Sequence, residues 1–244
     1  MRTEEWITKL SEATAGNDEA FFAFRESVPL GLDEKGEIAV AHGEKKRGRS
    51  RHICVTGAKR TEFIKRLLVA LACLYDETEV CFFVLSPNLS YGELLALRHT
   101  NFVVPFVHAY EDCLSALETL KELLRASRSG ERGYPKLILV LDGLETLVND
   151  PTGTLDVYAP FFNEFARDEV EIVTGVDLLQ SIFSGYPGAF VGIGNCLVTA
   201  DEDGKADLTF TDEDSSLTAP KAFAYPDNAL MESIAFLNSV AEAK

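Results

Sequence analysis

The chain has 244 residues, of which 46% are hydrophobic, 25% charged and 10% aromatic. That balance excludes a disordered, fibrous or disulfide-dense protein and leaves enough length to bury a sizeable core. Asp and Glu number 39 against 23 Lys and Arg, a formal net charge of -16, which opposes nucleic-acid binding over most of the surface.

In chain order, residues 4–26 carry apolar positions at Trp6, Ile7, Leu10, Phe21, Phe22 and Phe24, broken at Gly16-Asn17-Asp18. This pattern predicts two short helices forming an N-terminal extension over residues 1–27. The first residues hold no apolar h-region, and no window reaches about 18 apolar residues, so neither a signal peptide nor a membrane span is expected and a cytoplasmic protein is. Val28–Leu32 and Glu37–Ala41 flank the turn signal Asp33-Glu-Lys-Gly36 and predict a hairpin.

A basic stretch follows. Between Lys45 and Arg66 stand nine basic residues (Lys45, Lys46, Arg47, Arg49, Arg51, Lys59, Arg60, Lys65, Arg66) and one acid, Glu62, so this segment is +8 and the remainder of the chain -24. Such a run is ordinarily a solvated loop and helix face, yet any anion site is to be sought here first.

From residue 52 the rhythm is strand, turn, helix. His52–Thr56 reads as a strand broken by Gly57, residues 61–75 as a helix, Glu79–Leu85 as a buried strand, Tyr91–Arg98 as a short helix, Phe102–His108 as a strand and Glu111–Arg125 as a helix. The almost uniformly apolar run Lys136–Leu141 fits a central parallel strand covered on both faces. Val157–Arg167 then reads as helix, Glu171–Gly175 as strand and Asp177–Phe183 as helix. This alternation predicts a parallel α/β sheet. Cys196–Ala200 and Ala206–Phe210, joined through Asp201-Glu-Asp-Gly204, predict a C-terminal β-hairpin, and residues 226–242 a closing helix. The acidic turn lacks the spacing of a calcium loop.

Motifs for other chemistry are weak. Five cysteines without a CxxC pair read as reduced core residues, and His42, His52, His99 and His108 lack zinc-ligand spacing. Gly192-Ile-Gly194 leads into a strand and has Leu197 at the third glycine position of a dinucleotide fingerprint. Ser181 and Ser184 stand near Gly185 without a nucleophile elbow.

The informative pair is a strand ending at Gly57 that opens a helix, followed some 80 residues later by an apolar strand ending in Asp142. In nucleotide-binding α/β domains the first turn cradles phosphate with backbone N–H groups and the second strand delivers a carboxylate to magnesium. The loop Gly57-Ala-Lys-Arg-Thr-Glu-Phe63 departs from G-x-x-x-x-G-K-[ST], lacking the second glycine and the Lys-Ser/Thr pair.

Four blocks, Val28–Gly36, His52–Gly57, Val80–Pro87 and Leu137–Leu147, resemble in order and spacing successive blocks of FtsK/SpoIIIE-type motor domains, over roughly residues 28–200. The nearest flavour is that of the degenerate ATPase domains of EssC-like type VII secretion proteins. The resemblance implies an α/β fold with a RecA-like P-loop core, a mainly parallel sheet covered by helices on both faces, and a domain over 28–244 behind the 1–27 extension. It implies ATP and magnesium as ligands and hexameric translocation of DNA or protein.

Carried onto this chain without gaps from Gly57, the resemblance puts Glu62 at the second loop glycine, Phe63 at the phosphate lysine and Ile64 at the magnesium-binding hydroxyl. The Walker A loop is therefore degenerate. Nucleotide-binding candidates are Gly57, Lys59, Arg60 and Thr61, with Thr61 supplying a hydroxyl or, as is ordinary for Thr before a helix, its N-cap. Asp142 matches the magnesium carboxylate, Gly143 stands where active motors place the water-polarising glutamate, and Glu145 is either a displaced base or a surface residue.

Three readings follow. The first is an inactive FtsK-like domain serving as an interaction or regulatory module, with a protein partner or self-association. The second is a divergent NTPase motor subunit using Lys59 or Arg60 with Asp142. The third, nucleic-acid binding through residues 43–66, is disfavoured by the -24 elsewhere.

Overall fold

The computed structural model describes residues 5, 6, 8, 9, 12, 27–42, 52–106, 110–128, 135–143, 145, 146, 157, 158, 160, 161, 164, 165, 170–175, 196–201, 205–210, 221–224, 234 and 235. Among the described residues, ten strands form one sheet: β1 Ser27–Asp33, β2 Ile38–His42, β3 His52–Thr56, β4 Val80–Ser86, β5 Thr100–Pro105, β6 Lys136–Asp142, β7 Glu171–Gly175, β8 Cys196–Ala200, β9 Lys205–Phe210 and β10 Lys221–Ala224. Among the helices with described bounds are α1 Arg60–Leu74 and α2 Tyr110–Arg128, with a 3-10 helix, Gly92–Ala96.

The strand order is β2-β1-β10-β9-β8-β3-β7-β6-β4-β5. Every pairing from β8 to β5 is parallel, and every pairing from β2 to β8 is antiparallel. The parallel part arises where apolar strands alternate with helices, because a parallel neighbour can be reached only through a crossover. Its strands are buried on both faces: Leu137 to Leu141 of β6 are each no more than 5% exposed, which is why that run carries no polar alternation.

Helices cover both faces, each over its own core. On one, Phe63, Ile64, Leu67, Leu68 and Leu71 of α1 pack on Ile53, Val55, Phe82, Val84, Ile138, Val140 and Val198. On the other, Cys113, Ala116, Leu117, Leu120 and Leu124 of α2 pack on Phe83, Leu85, Leu139, Leu141 and Ile172. The alternating residues of β4 and β6 thus divide between the two cores, as the period of two requires.

The N-terminal hairpin forms as its turn signal predicts. Asp33 accepts from the backbone N–H groups of Lys35 and Glu37 at 2.9 Å each, the local bonding that makes Asp a turn former. The hairpin joins the main sheet through β10, which pairs with β1 at Leu32↔Ala224. The C-terminal hairpin β8–β9 also forms. In the N-terminal extension, Glu5, Trp6, Thr8, Lys9 and Glu12 are helical, and Trp6, 1% exposed, packs with Leu32 and Ala70. In the segment read as helix over 157–167, residues 157, 158, 160, 161, 164 and 165 are helical, as are Ile234 and Ala235 of the closing segment. The segment expected to be a helix at Tyr91–Arg98 is a 3-10 helix at Gly92–Ala96 instead, too short to bury an amphipathic face. The basic residues 45–51, the segment 177–183, Ser181, Ser184 and Gly192-Ile-Gly194 lie outside the described residues.

Cys54, Cys81 and Cys113 are free thiols. Burial pushes the Cys54 and Cys113 thiols up to about 11, against the opposing hydrogen bonds of Thr174 and Tyr158. Because the thiolate is the nucleophile, iodoacetamide at pH 8 is expected to leave Cys54 and Cys113 of the native protein unmodified on a timescale that fully labels the denatured chain. Peptide-level mass spectrometry checks this, and rapid native alkylation of either residue would contradict it.

Candidate functional site

The site lies at the carboxyl ends of the parallel strands, where open α/β sheets gather ligands. The turn after β3 is tight. Gly57 takes φ +101, only Ala58 and Lys59 separate it from α1, and Arg60 N–H donates to the Gly57 carbonyl at 3.2 Å. Phe63 N–H donates to Lys59 O at 2.9 Å, so regular helix bonding is already established there. Phe63 is 1% exposed and Ile64 0%. The two positions that the FtsK resemblance assigns to the phosphate lysine and the magnesium hydroxyl are therefore core positions, filled by apolar side chains.

Asp142 ends β6, two strands from β3, with β7 between them. Gly175 is paired with it on β7. A Cβ on Gly175 would overlap Oδ1 of Asp142 and stand 3.1 Å from Cδ1 of Ile64, so the absence of a side chain on β7 opens the passage between β3 and β6. Through it the side chains of the first turn of α1 reach Asp142. Arg60 Nε donates to Asp142 Oδ1 at 2.8 Å and Arg60 Nη2 to Glu145 Oε1 at 2.8 Å. Thr61 Oγ1 donates to Asp142 Oδ2 at 2.6 Å, and Tyr91 OH donates to the same oxygen at 2.9 Å. Asp142 is 3% exposed at its side chain, and each of its oxygens has at least one donor, as a buried carboxylate requires.

Burial, then the Asp142 charge and hydrogen bond, push the Tyr91 hydroxyl well above its ordinary 10, against Thr61 and Arg60. It remains a proton donor throughout the physiological range. Next to it, Lys65 Nζ donates to Glu93 Oε1 at 2.6 Å and stands 5.7 Å from the Tyr91 ring centroid. Burial opposes ionisation of Glu93, but the Lys65 hydrogen bond, a backbone N–H and the Lys65 charge together outweigh it and hold that carboxyl below its ordinary 4.5.

Of the candidates from sequence, Arg60, Thr61 and Asp142 come together, whereas Lys59 pairs with Glu62 at 3.3 Å and Gly57 shapes the turn. Two expectations change. The N-cap of α1 is Lys59, without a side-chain cap bond, so Thr61 sits inside the helix and its hydroxyl serves Asp142. Glu145 is not a surface residue: its side chain is 18% exposed and carries the Arg60 ion pair. The described basic residues of the +8 segment are each matched to a carboxylate, Lys59 and Arg66 to Glu62, Arg60 to Asp142 and Glu145, and Lys65 to Glu93. Tyr91 and Glu93 carry no motif. Their signal is position only, on the connection leaving the strand adjacent to β6.

Gly143, at φ +76, follows Asp142. A Cβ there would overlap the ring of Pro87, so a glutamate cannot take this position without displacing the connection after β4.

At the level of sequence, no protein-family model and no curated protein matches. Solved structures do. The EssC ATPases 2 and 3 from Geobacillus thermodenitrificans superpose with a TM-score of 0.65 at 12% identity, covering 89% of this chain and 50% of that one. The cytoplasmic domain of the Thermomonospora curvata type VII secretion ATPase EccC gives 0.62 at 15% identity, covering 88% and 31%. EccC ATPases 2 and 3 from the same organism, in complex with a signal sequence peptide, give 0.59 at 14%, covering 83% and 41%. This chain thus spans half the length of the EssC structure it matches. The chain shares the fold of these EssC and EccC ATPase domains, a RecA-like α/β P-loop fold with a mainly parallel sheet.

Proposed function

We propose that the chain is a degenerate FtsK/SpoIIIE-type P-loop domain that has lost ATP hydrolysis and serves as an interaction or regulatory module on the cytoplasmic side of a type VII-like assembly. The observation that carries this is the Arg60–Asp142 contact at 2.8 Å, made while Phe63 fills the core. A magnesium ion at Asp142 would have to displace a guanidinium and break bonds from Thr61 and Tyr91, so these residues do not fit the ion. A triphosphate would meet neither a lysine at its β- and γ-oxygens nor a glutamate to orient water. Lys59 and Arg60, the substitutes that a divergent NTPase would need, are held by Glu62 and by Asp142 with Glu145.

The partner we propose is a protein or a second copy of the chain. One structural neighbour holds a signal sequence peptide, and a net charge of -16 argues against a nucleic-acid partner. No helix among the described residues is long and apolar enough to cross a membrane.

Calorimetry with ATP and ADP, each with and without magnesium, is expected to show no saturable binding up to about 5 mM, weaker than roughly -3 kcal/mol. Phosphate release should equal that of buffer. Saturable ATP-magnesium binding with phosphate release abolished in Asp142→Asn would overturn this reading in favour of the divergent NTPase.

A further inference from the structure

We propose that Arg60 is a resident cation that stands in for a metal ion at Asp142, so that the carboxyl end of the sheet is set in one arrangement needing neither metal nor nucleotide. The inference rests on the reading that no nucleotide cycle operates here, and its test separates the two.

A divalent ion at such a site would draw the carboxylates together and neutralise them. The guanidinium does both. Its Nε faces Asp142 and its Nη2 faces Glu145, each at 2.8 Å, so one rigid cation spans two acids three residues apart, one ending β6 and one just after it. A planar fork suits this better than an ammonium, which would offer a single centre. Arg60 is itself only 14% exposed at its side chain, so the two carboxylates receive little help from solvent. The remaining coordination is supplied by hydroxyls: Thr61 and Tyr91 both donate to Oδ2 of Asp142. The cluster thereby ties three elements, namely the start of α1, the end of β6 and the β4–β5 connection. A second tie, Lys65 to Glu93 at 2.6 Å, fixes the same connection to the same helix.

If Arg60 plays this part, removing it uncovers a latent site for a hard divalent cation. Its ligands would be the carboxylates of Asp142 and Glu145 with the Thr61 hydroxyl, the oxygen set that magnesium takes. The native protein should ignore the ion because the guanidinium already holds the place.

The test is thermal unfolding of the whole chain in EDTA and in magnesium chloride, at ionic strength matched with sodium chloride. Wild type should move by less than about 1 °C between the two, and Arg60→Ala should unfold roughly 6–10 °C lower in EDTA, because it strips the buried Asp142 of its Arg60 ion pair. Magnesium at about 10 mM should return at least 3 °C or so to Arg60→Ala and nothing to Arg60→Ala/Asp142→Asn. Should Arg60→Ala fail to fold, the neutral pair Arg60→Gln/Asp142→Asn is expected to fold and to show no magnesium response. Failure of that pair to fold would overturn the proposal, as would an Arg60→Ala variant that is as stable as wild type or blind to magnesium. A wild type stabilised by magnesium alone would overturn it too, whatever its response to ATP. ATP binding by a wild type that ignores magnesium would instead remove the functional reading and leave Arg60 in its place.

Discussion

Phe63→Lys, the substitution that writes the phosphate-binding lysine back into the loop, is expected to cost roughly 5 kcal/mol of stability and to confer no affinity for ATP. Phe63 is 1% exposed and belongs to the core between α1 and the sheet. Replacing it removes an aromatic ring from a packed interior, which alone costs about 3–5 kcal/mol, and places an ammonium among buried apolar side chains. A domain of this size is stable by about 5–15 kcal/mol in all, so the variant should unfold near the edge of physiological temperature. Phe63→Leu serves as the control, expected to lose no more than about 1.5 kcal/mol because shape and polarity are nearly kept. Urea denaturation followed by circular dichroism measures both. A Phe63→Lys variant with an unchanged midpoint and saturable ATP-magnesium binding would show that the turn after β3 can open, and would remove the basis for calling the loop degenerate.

How far the site could be read from the sequence depends on how local its parts are. The strands β3, β4, β6 and β7 announce themselves as apolar runs, and α1 and α2 by their period, since burial on both faces or along one stripe leaves its mark in consecutive residues. The strand β10, Lys221–Ala224, does not. It has four residues, and its place between β1 and β9 is completed by pairing with β1 at the opposite end of the chain. The centre is harder still. Arg60 and Asp142 are 82 residues apart, and nothing in the spacing says that the basic residue opening α1 turns inward to the carboxylate. Thr61 misleads for the same reason: its place just before a helical run suggests a cap, whereas helix bonding begins at Lys59 and frees the hydroxyl for Asp142. The clue that was present is a charge argument. A carboxylate at the end of an apolar strand requires a counter-charge once it is buried, and the cations that the topology brings nearest to it are Lys59 and Arg60.

Gly57→Ala should be nearly as damaging as Phe63→Lys, for a reason that has nothing to do with phosphate. In an active loop of this kind a glycine is understood as giving ligand oxygens close access to the backbone, and its retention here invites a nucleotide. The geometry gives another cause. β8 runs parallel beside β3, paired up to Thr56↔Thr199, and a Cβ on Gly57 would overlap the Ala200 carbonyl oxygen and stand 3.1 Å from its carbonyl carbon and amide nitrogen. Those are backbone atoms of a neighbouring strand and cannot swing aside as the end of a flexible side chain could. The φ of +101 adds strain of about 1–3 kcal/mol for any residue with a Cβ, and relieving the overlap by parting β3 from β8 costs at least as much again, so a loss of roughly 4 kcal/mol is expected. In thermal unfolding this is a fall of about 10 °C or more for a chain of this length. Ala58→Gly, at the exposed next position, should lose less than about 1 kcal/mol. If Gly57→Ala proves as stable as Ala58→Gly, the tight turn described here is not the native one. If it is destabilised as expected in the complete absence of ligand, Gly57 is kept by packing between two strands, and its survival says nothing for a bound nucleotide.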